Sequence, residues 1–263
     1  MALFTDALIS TLDQLAAQDT AVLDVANAEG IDVTVKLSLA QDELGAELVA
    51  AGARSPFSPS SSSIWWPGII LTSSLQLGNI VVTPPLQMWH AFHTLELIYR
   101  DAYYNQLNDR YLGKWNAYKD LSKWAAGMLL QTGVGIVADP IPIAQGLSEV
   151  NIVAGPLSAT TYFLQTSWLN SRSEEGLPGP VTSVAMPDNS SIQVTPSSPP
   201  TNATGWNVYV GNSIDSITLQ NLAPIVIGQA WLVPAGGLVL GRGPGTGQVP
   251  NYFRQLPRYL QRG

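Results

Sequence analysis

The sequence predicts an α+β chain: an N-terminal helical bundle with one long helix or a helical hairpin, then a small β-sandwich and an extended C-terminal arm. Three observations carry the prediction. Apolar and aromatic residues recur every three or four positions from Trp89 to Met128, the period of one helix face. From residue 147 to 240 that period gives way to short alternating runs divided by Pro, Gly and Asn clusters. After Gly241 the chain turns to glycine and proline, then to aromatic and basic residues. The expected division is a helical, ring-forming domain over 1–140 with a loop insertion at 53–82, a sandwich over 147–240, and an arm over 241–263.

In chain order, Leu3, Leu8, Leu12 and Leu15, with Ala7 and Ala16, suit one helix face. Ile31 to Leu37 alternates and reads as a short strand or extended link. Ser38-Leu39-Ala40-Gln41 matches a capping box, which starts a helix running to Ala51 and stopping at Gly52. Pro56, Pro59 and the run Ser60 to Ser63 break structure. The adjacent Trp65 and Trp66 then either cover the domain's own core or dock a partner, because aromatics are enriched at interface centres. Thr83 is an N-cap candidate, and Pro84 suits a first helical turn, where its missing N–H is no loss. The stripe follows: Trp89, Phe92, Leu95, Tyr99, Tyr103, Leu107, Tyr111, Trp115, Tyr118, Leu121, Ala125 and Met128. Unbroken, such a helix is about 65 Å long at 1.5 Å per residue, too long for one small domain. A break between Asn108 and Gly113 gives a hairpin instead, and Gly133 is the natural C-cap.

The strand candidates are Thr161–Trp168, Val181–Met186, Ser191–Thr195 and Trp206–Val210. Turn clusters at 175–180, 187–189 and 199–202 separate them, the spacing of a sandwich. The tail carries Tyr252, Phe253, Arg254, Arg258, Tyr259 and Arg262 and reads as extended.

Composition bounds the function. Charged residues are 12% of 263, about half the usual share of ~25%. A chain with so little charge is expected to hide surface against neighbours. The absence of cysteine excludes a disulfide scaffold, a thiolate zinc site and a cysteine nucleophile. No apolar run approaches membrane-spanning length. Met1 to Asp6 lacks the features of a signal peptide, so synthesis and use in a cytoplasm are expected. The net charge is −7, and residues 1–50 hold nine acids against one base, Lys36. That sign opposes direct nucleic-acid binding.

Catalytic chemistry finds little purchase. His90, His93 and Glu96 share a helix face and form a possible metal trio, but no fourth ligand lies nearby, so structural histidines are the preferred reading and no metal or cofactor is expected. Gly241 to Gly247 lacks the ending of a phosphate loop and reads as a flexible linker. Glu174 and Glu175 sit in a Gly/Pro turn and read as solvated. No nucleophile elbow or paired-carboxylate signature is present, and no enzyme is expected.

Ser191 to Pro196, a Pro-rich turn and Gly205 to Gly211 resemble the B and C strands of fibronectin type III domains. In that family the C strand carries a core aromatic and an exposed tyrosine. Thr161 to Trp168, Glu174-Glu175-Gly176 and Pro180-Val181-Thr182 resemble the F strand, turn and G strand, here preceding the B–C pair. The resemblance therefore implies a circularly permuted or Ig-like sandwich.

A helical half joined to such a sandwich resembles tailed-phage proteins, in particular head-to-tail connector (adaptor) proteins. The stripe Arg110-Tyr111, Lys114-Trp115, Tyr118, then Lys123-Trp124 and Gly133-Val134-Gly135 carries that resemblance. It implies a homo-oligomeric ring, of twelve copies in the family, between a portal protein and a tail or nozzle protein in the virion neck. The stripe itself has two readings: within one chain it packs against the helices of residues 3–51, and across a ring Tyr111, Lys114, Trp115 and Tyr118 would also pack subunits, with the acidic residues 1–50 meeting the basic Arg110, Lys114, Lys119 and Lys123 within a subunit or between neighbours. Tyr252, Phe253, Arg254, Arg258, Tyr259 and Arg262, with Trp65 and Trp66, would meet the portal or a neighbouring subunit. An acidic channel wall would let DNA pass without specific binding. The competing readings are another tail, baseplate or fibre-attachment protein with an adhesive sandwich, and a soluble binding module.

Overall fold

The computed structural model describes residues 1–53, 75–106, 109–146 and 149–256. The chain forms two compact units. One comprises residues 7–137 and the chain from 250 onward; the other comprises residues 1–6 and 138–249. The mixed α+β class expected from sequence is observed. The division differs from the expected one at both ends. Residues 1–6 and 241–249 belong with the strands: Asp6 Oδ1 accepts the Ile143 N–H at 2.9 Å, and Arg242 pairs with Glu175.

The first unit holds five helices, α1 (Leu12–Gln18), α2 (Val22–Glu29), α3 (Val33–Ala53), α4 (Pro84–Gln106) and α5 (Leu112–Thr132), among the described residues. The helix expected to start near Leu3 starts only at Leu12, because Thr11 and Gln14 cap it reciprocally (Gln14 N–H to Thr11 Oγ1, 3.3 Å; Thr11 N–H to Gln14 Oε1, 3.0 Å).

The alternation over Ile31–Leu37 is not a strand. Asp32 Oδ1 accepts the N–H groups of Thr34 (2.9 Å) and Val35 (3.2 Å) and opens α3 six residues before the expected cap. Leu37, Ala40, Leu44 and Leu48 then form its buried stripe. Gln41, expected to cap, bridges to the preceding loop instead, accepting from Ile9 N–H and donating to Ala7 O. Nor does Gly52 stop the helix. A Cβ there would lie 2.6 Å from Leu75 Cβ, so glycine admits that neighbour.

α4 begins at Pro84 as expected, but Thr83 Oγ1 makes no hydrogen bond. Of the two N–H groups an N-cap side chain can accept, Pro85 removes one. The aromatic stripe adopts the hairpin: α4 ends at Gln106, and α5 runs antiparallel to it from Leu112. Gly133 ends α5 at φ 92°, the left-handed side that favours glycine. Beyond it, β1 (Val134–Ile136) pairs antiparallel with Tyr252–Arg254, Val134 opposite Arg254 and Ile136 opposite Tyr252. Of the arm, Tyr252–Arg254 is thus a strand of this unit. No described helix is long and apolar enough to cross a membrane.

In the second unit, β2 (Glu149–Leu157), β5 (Ser190–Thr195) and β9 (Trp231–Leu232) form one sheet in the order β2-β5-β9. The other sheet runs β4-β3-β6-β7, with β3 (Thr160–Asn170), β4 (Thr182–Met186), β6 (Ala203–Gly211) and β7 (Thr218–Leu219); β8 (Ile225–Val226) also pairs with β6. The three-residue strand at the arm, Tyr252–Arg254, is β10. All pairings are antiparallel. The four strands expected from sequence match β3, β4, β5 and β6. β2 had no expectation of its own. Inward positions of both sheets meet in one core around Trp168 and Trp206, with Leu164, Val208, Ile192 and Val194.

Candidate functional site

Asp19, in the turn after α1, is the centre of the helical unit. Its side chain is 6% exposed. Lys114 Nζ reaches both carboxylate oxygens (2.9 and 2.6 Å), and the hydroxyls of Tyr99 (2.7 Å) and Tyr118 (2.9 Å) donate to Oδ2. Burial works against the charge. The hydrogen bonds from Lys114, Tyr99, the Ala21 N–H and Tyr118 outweigh it and hold the Asp19 pKa below its ordinary value. Desolvation and the nearby anion push up the pKa values of the buried Tyr99 and the half-buried Tyr118, which stay protonated. Their rings stack at 5.5 Å.

Every residue expected to pack subunits takes part in this neighbourhood. Tyr111 is buried and donates to Glu29 Oε1 at 2.9 Å. Trp115 stacks on Tyr103 at 5.5 Å. Tyr118 and Lys114 hold Asp19. The acidic first helices and the basic α5 meet through Asp19 and Lys114.

The histidines diverge. His90 donates from Nε2 to the Leu37 carbonyl (3.0 Å), and burial lowers its pKa to about 4, so it is neutral. His93 lies between Glu43 (2.7 Å) and Glu96 (3.2 Å). Burial opposes its charge, but the two carboxylates prevail and raise its pKa. No three His, Asp or Glu side chains among the described residues are arranged to hold a metal ion. Glu43 lies fifty positions from His93, beyond any local pattern.

The strand unit has its own buried acid. Glu175, expected to be solvated, is 13% exposed. It accepts hydrogen bonds from Ser167, Tyr209, Asn207 (3.1 Å) and Arg242 (2.6 Å). Burial again resists the charge, and these donors outweigh it and lower the pKa. Ser167 spends its hydroxyl proton on a carboxylate that is a weak base, an arrangement suited to fastening strands. Tyr209, the tyrosine expected to be exposed on the C strand, is fully buried because its hydroxyl joins this cluster and Arg242 lies 6.0 Å from its ring centre.

The segment 241–247 is likewise no free linker. Arg242 holds Glu175, and the following Gln248 is buried, bonded to Ile141 N–H, Asp139 O and Glu174.

Surface that could meet a partner lies elsewhere. On β10, Tyr252 and Phe253 are 45% and 58% exposed, while Arg254 is half-buried. Trp65, Trp66, Arg258, Tyr259 and Arg262 lie outside the described residues. The single stripe read from sequence splits on α5: Ser122, Ala125 and Leu129 face inward, whereas Leu121, Trp124 and Met128 face outward. In the strand unit, Ser158, Tyr162, Ser213, Thr218, Leu238 and Leu240 line a groove of about 570 Å³. No protein-family model matches the chain, and no curated protein matches its sequence.

Proposed function

We propose that the chain is a structural protein of the tailed-phage neck, an adaptor that forms a ring between portal and tail and lines part of the DNA channel. The observation that carries the proposal is the aromatic pair Tyr252 and Phe253, held out on a short strand beside the aromatic and basic sequence that follows. Two rigid anchors on a paired strand lower the ordering cost of docking an arm. The reading also takes the strand unit as a permuted fibronectin-like sandwich. Three features support that: β3 pairs with both β4 and β6, as F pairs with G and C; β5 lies in the opposite sheet, as B does; and Trp206 is the buried tryptophan of the C strand. A fourth is Tyr162, near the start of β3, whose hydroxyl donates back to Ser158 O at 3.4 Å, as in a tyrosine corner.

The test is electron microscopy of the full chain mixed with portal rings, beside a Tyr252→Ala, Phe253→Ala variant. Decorated rings for the native chain and bare rings for a folded variant are expected. Equal decoration would remove the arm's role, and no decoration by either would remove the adaptor reading. The groove of about 570 Å³ favours a second reading, a small-ligand or glycan-binding sandwich in a baseplate, fibre-attachment or soluble protein, because its size suits a ligand pocket. Glycan-array binding without portal decoration would select it.

A further inference from the structure

α5 has an outer seam that none of the described residues covers. Ala117, Leu121, Trp124 and Met128 are all exposed, Trp124 by 52%. Their spacing of four, three and four is that of the a and d positions through which one helix packs on another. The inner face of the same helix is already filled by Ser122, Ala125 and Leu129, so the seam is additional to the chain's own core. One flank of the seam carries Asp120 and Lys123, both exposed and neither in an ion pair among the described residues.

We propose that this seam is covered by the same seam of a second copy, as an antiparallel helix pair about a two-fold axis lying between Leu121 and Trp124. Register and charge select this occupant. With that axis, Leu121 of each helix meets Trp124 of the other, and the small Ala117 meets the long Met128, so the layers fill. Antiparallel packing sets like flanks side by side. Asp120 of one copy then lies about 3 Å along the axis from Lys123 of the other, at 1.5 Å per residue, and symmetry makes the pair twice. Parallel packing would turn Asp120 toward the flank holding Tyr118 and Ala125, which offers it no cation. A single seam on a 21-residue helix buries less than the ~1,200 Å² of a standard interface, so the pair is weak and reversible. It describes the free chain and does not rest on the adaptor reading.

Sedimentation equilibrium of the full chain across concentration tests it. A monomer–dimer equilibrium is expected, with Trp124→Lys weakening it at least about tenfold while the circular dichroism stays native. Asp120→Lys and Lys123→Asp should each weaken it about fivefold, and the double variant should restore native affinity by recreating the pair with reversed signs. A monomer at every concentration, a dimer indifferent to Trp124→Lys, or a double variant no better than the singles would each overturn the proposal; a lone monomer would leave the seam to a different protein.

Discussion

Each unit is fastened by one buried acid, and the two acids are fastened differently. Asp19 takes a lysine and two tyrosines from α4 and α5, so one carboxylate joins a turn to both arms of the hairpin. Glu175 takes a serine, a tyrosine and an asparagine from β3 and β6, with Arg242 from a later loop. In both, the cation is about half exposed (Lys114 47%, Arg242 55%), while the acid is largely covered and its neutral donors are buried, apart from the half-buried Tyr118. The neutral donors therefore set most of the stability, because an exposed cation is screened and water can replace it. Asp19 differs in what it holds together. It ties separate helices, whereas Glu175 ties a loop to strands already joined by their ladder.

Removal should expose that difference. Asp19→Ala takes the acceptor from the buried Tyr99 and half-buried Tyr118 hydroxyls and is expected to cost about 3 kcal/mol in chemical denaturation. Glu175→Ala is expected to cost about 2 kcal/mol, since Arg242 can turn to water and the β3–β6 ladder remains. Equal losses, or a larger one at Glu175, would break the contrast. Replacing only the cation should matter least within each cluster: Lys114→Met is expected to cost about 1 kcal/mol or less.

The pH dependence separates the groups further. Asp19 and Glu175 have lowered pKa values, so their stabilisation is complete above the ordinary carboxylate range and disappears as pH falls through the folded values. His93 has a raised value and acts in the opposite direction. Its contribution is complete below about 6.5 and is lost as pH rises through the folded pKa. A His93→Gln variant should therefore fall short of the native chain by on the order of 1 kcal/mol at pH 5.5 and converge with it at high pH. A gap independent of pH would show that His93 is held neutral.

The sequence made local order legible and long-range pairing not. Pro84, Gly133 and four strands lie where period and turn chemistry put them. The errors share a cause. Ile31–Leu37 alternates like a strand, yet Asp32 supplies a cap and Leu37 begins a buried stripe continued by Ala40 and Leu44. Glu175 looked solvated because its turn is Gly/Pro-rich, while its partner Arg242 lies 67 positions away. Lys114 is 95 positions from Asp19, so the sequence allowed the aromatic and basic stretch to pack on the first helices of its own chain without showing which acid it would meet. The outward seam of α5 was hidden inside one apolar stripe, since periodicity marks a helix's apolar positions without dividing them between two faces.

Hydrogen exchange on the free chain and on the chain assembled with portal rings tests most directly whether the α4–α5 aromatics serve the chain's own core while the arm serves partners. Expected is strong protection of the buried stretch around Tyr99, Tyr111 and Tyr118 in the free chain, unchanged on assembly, with new protection at 252–254. Rapid exchange of that stretch in the free chain, followed by protection only on assembly, would contradict it.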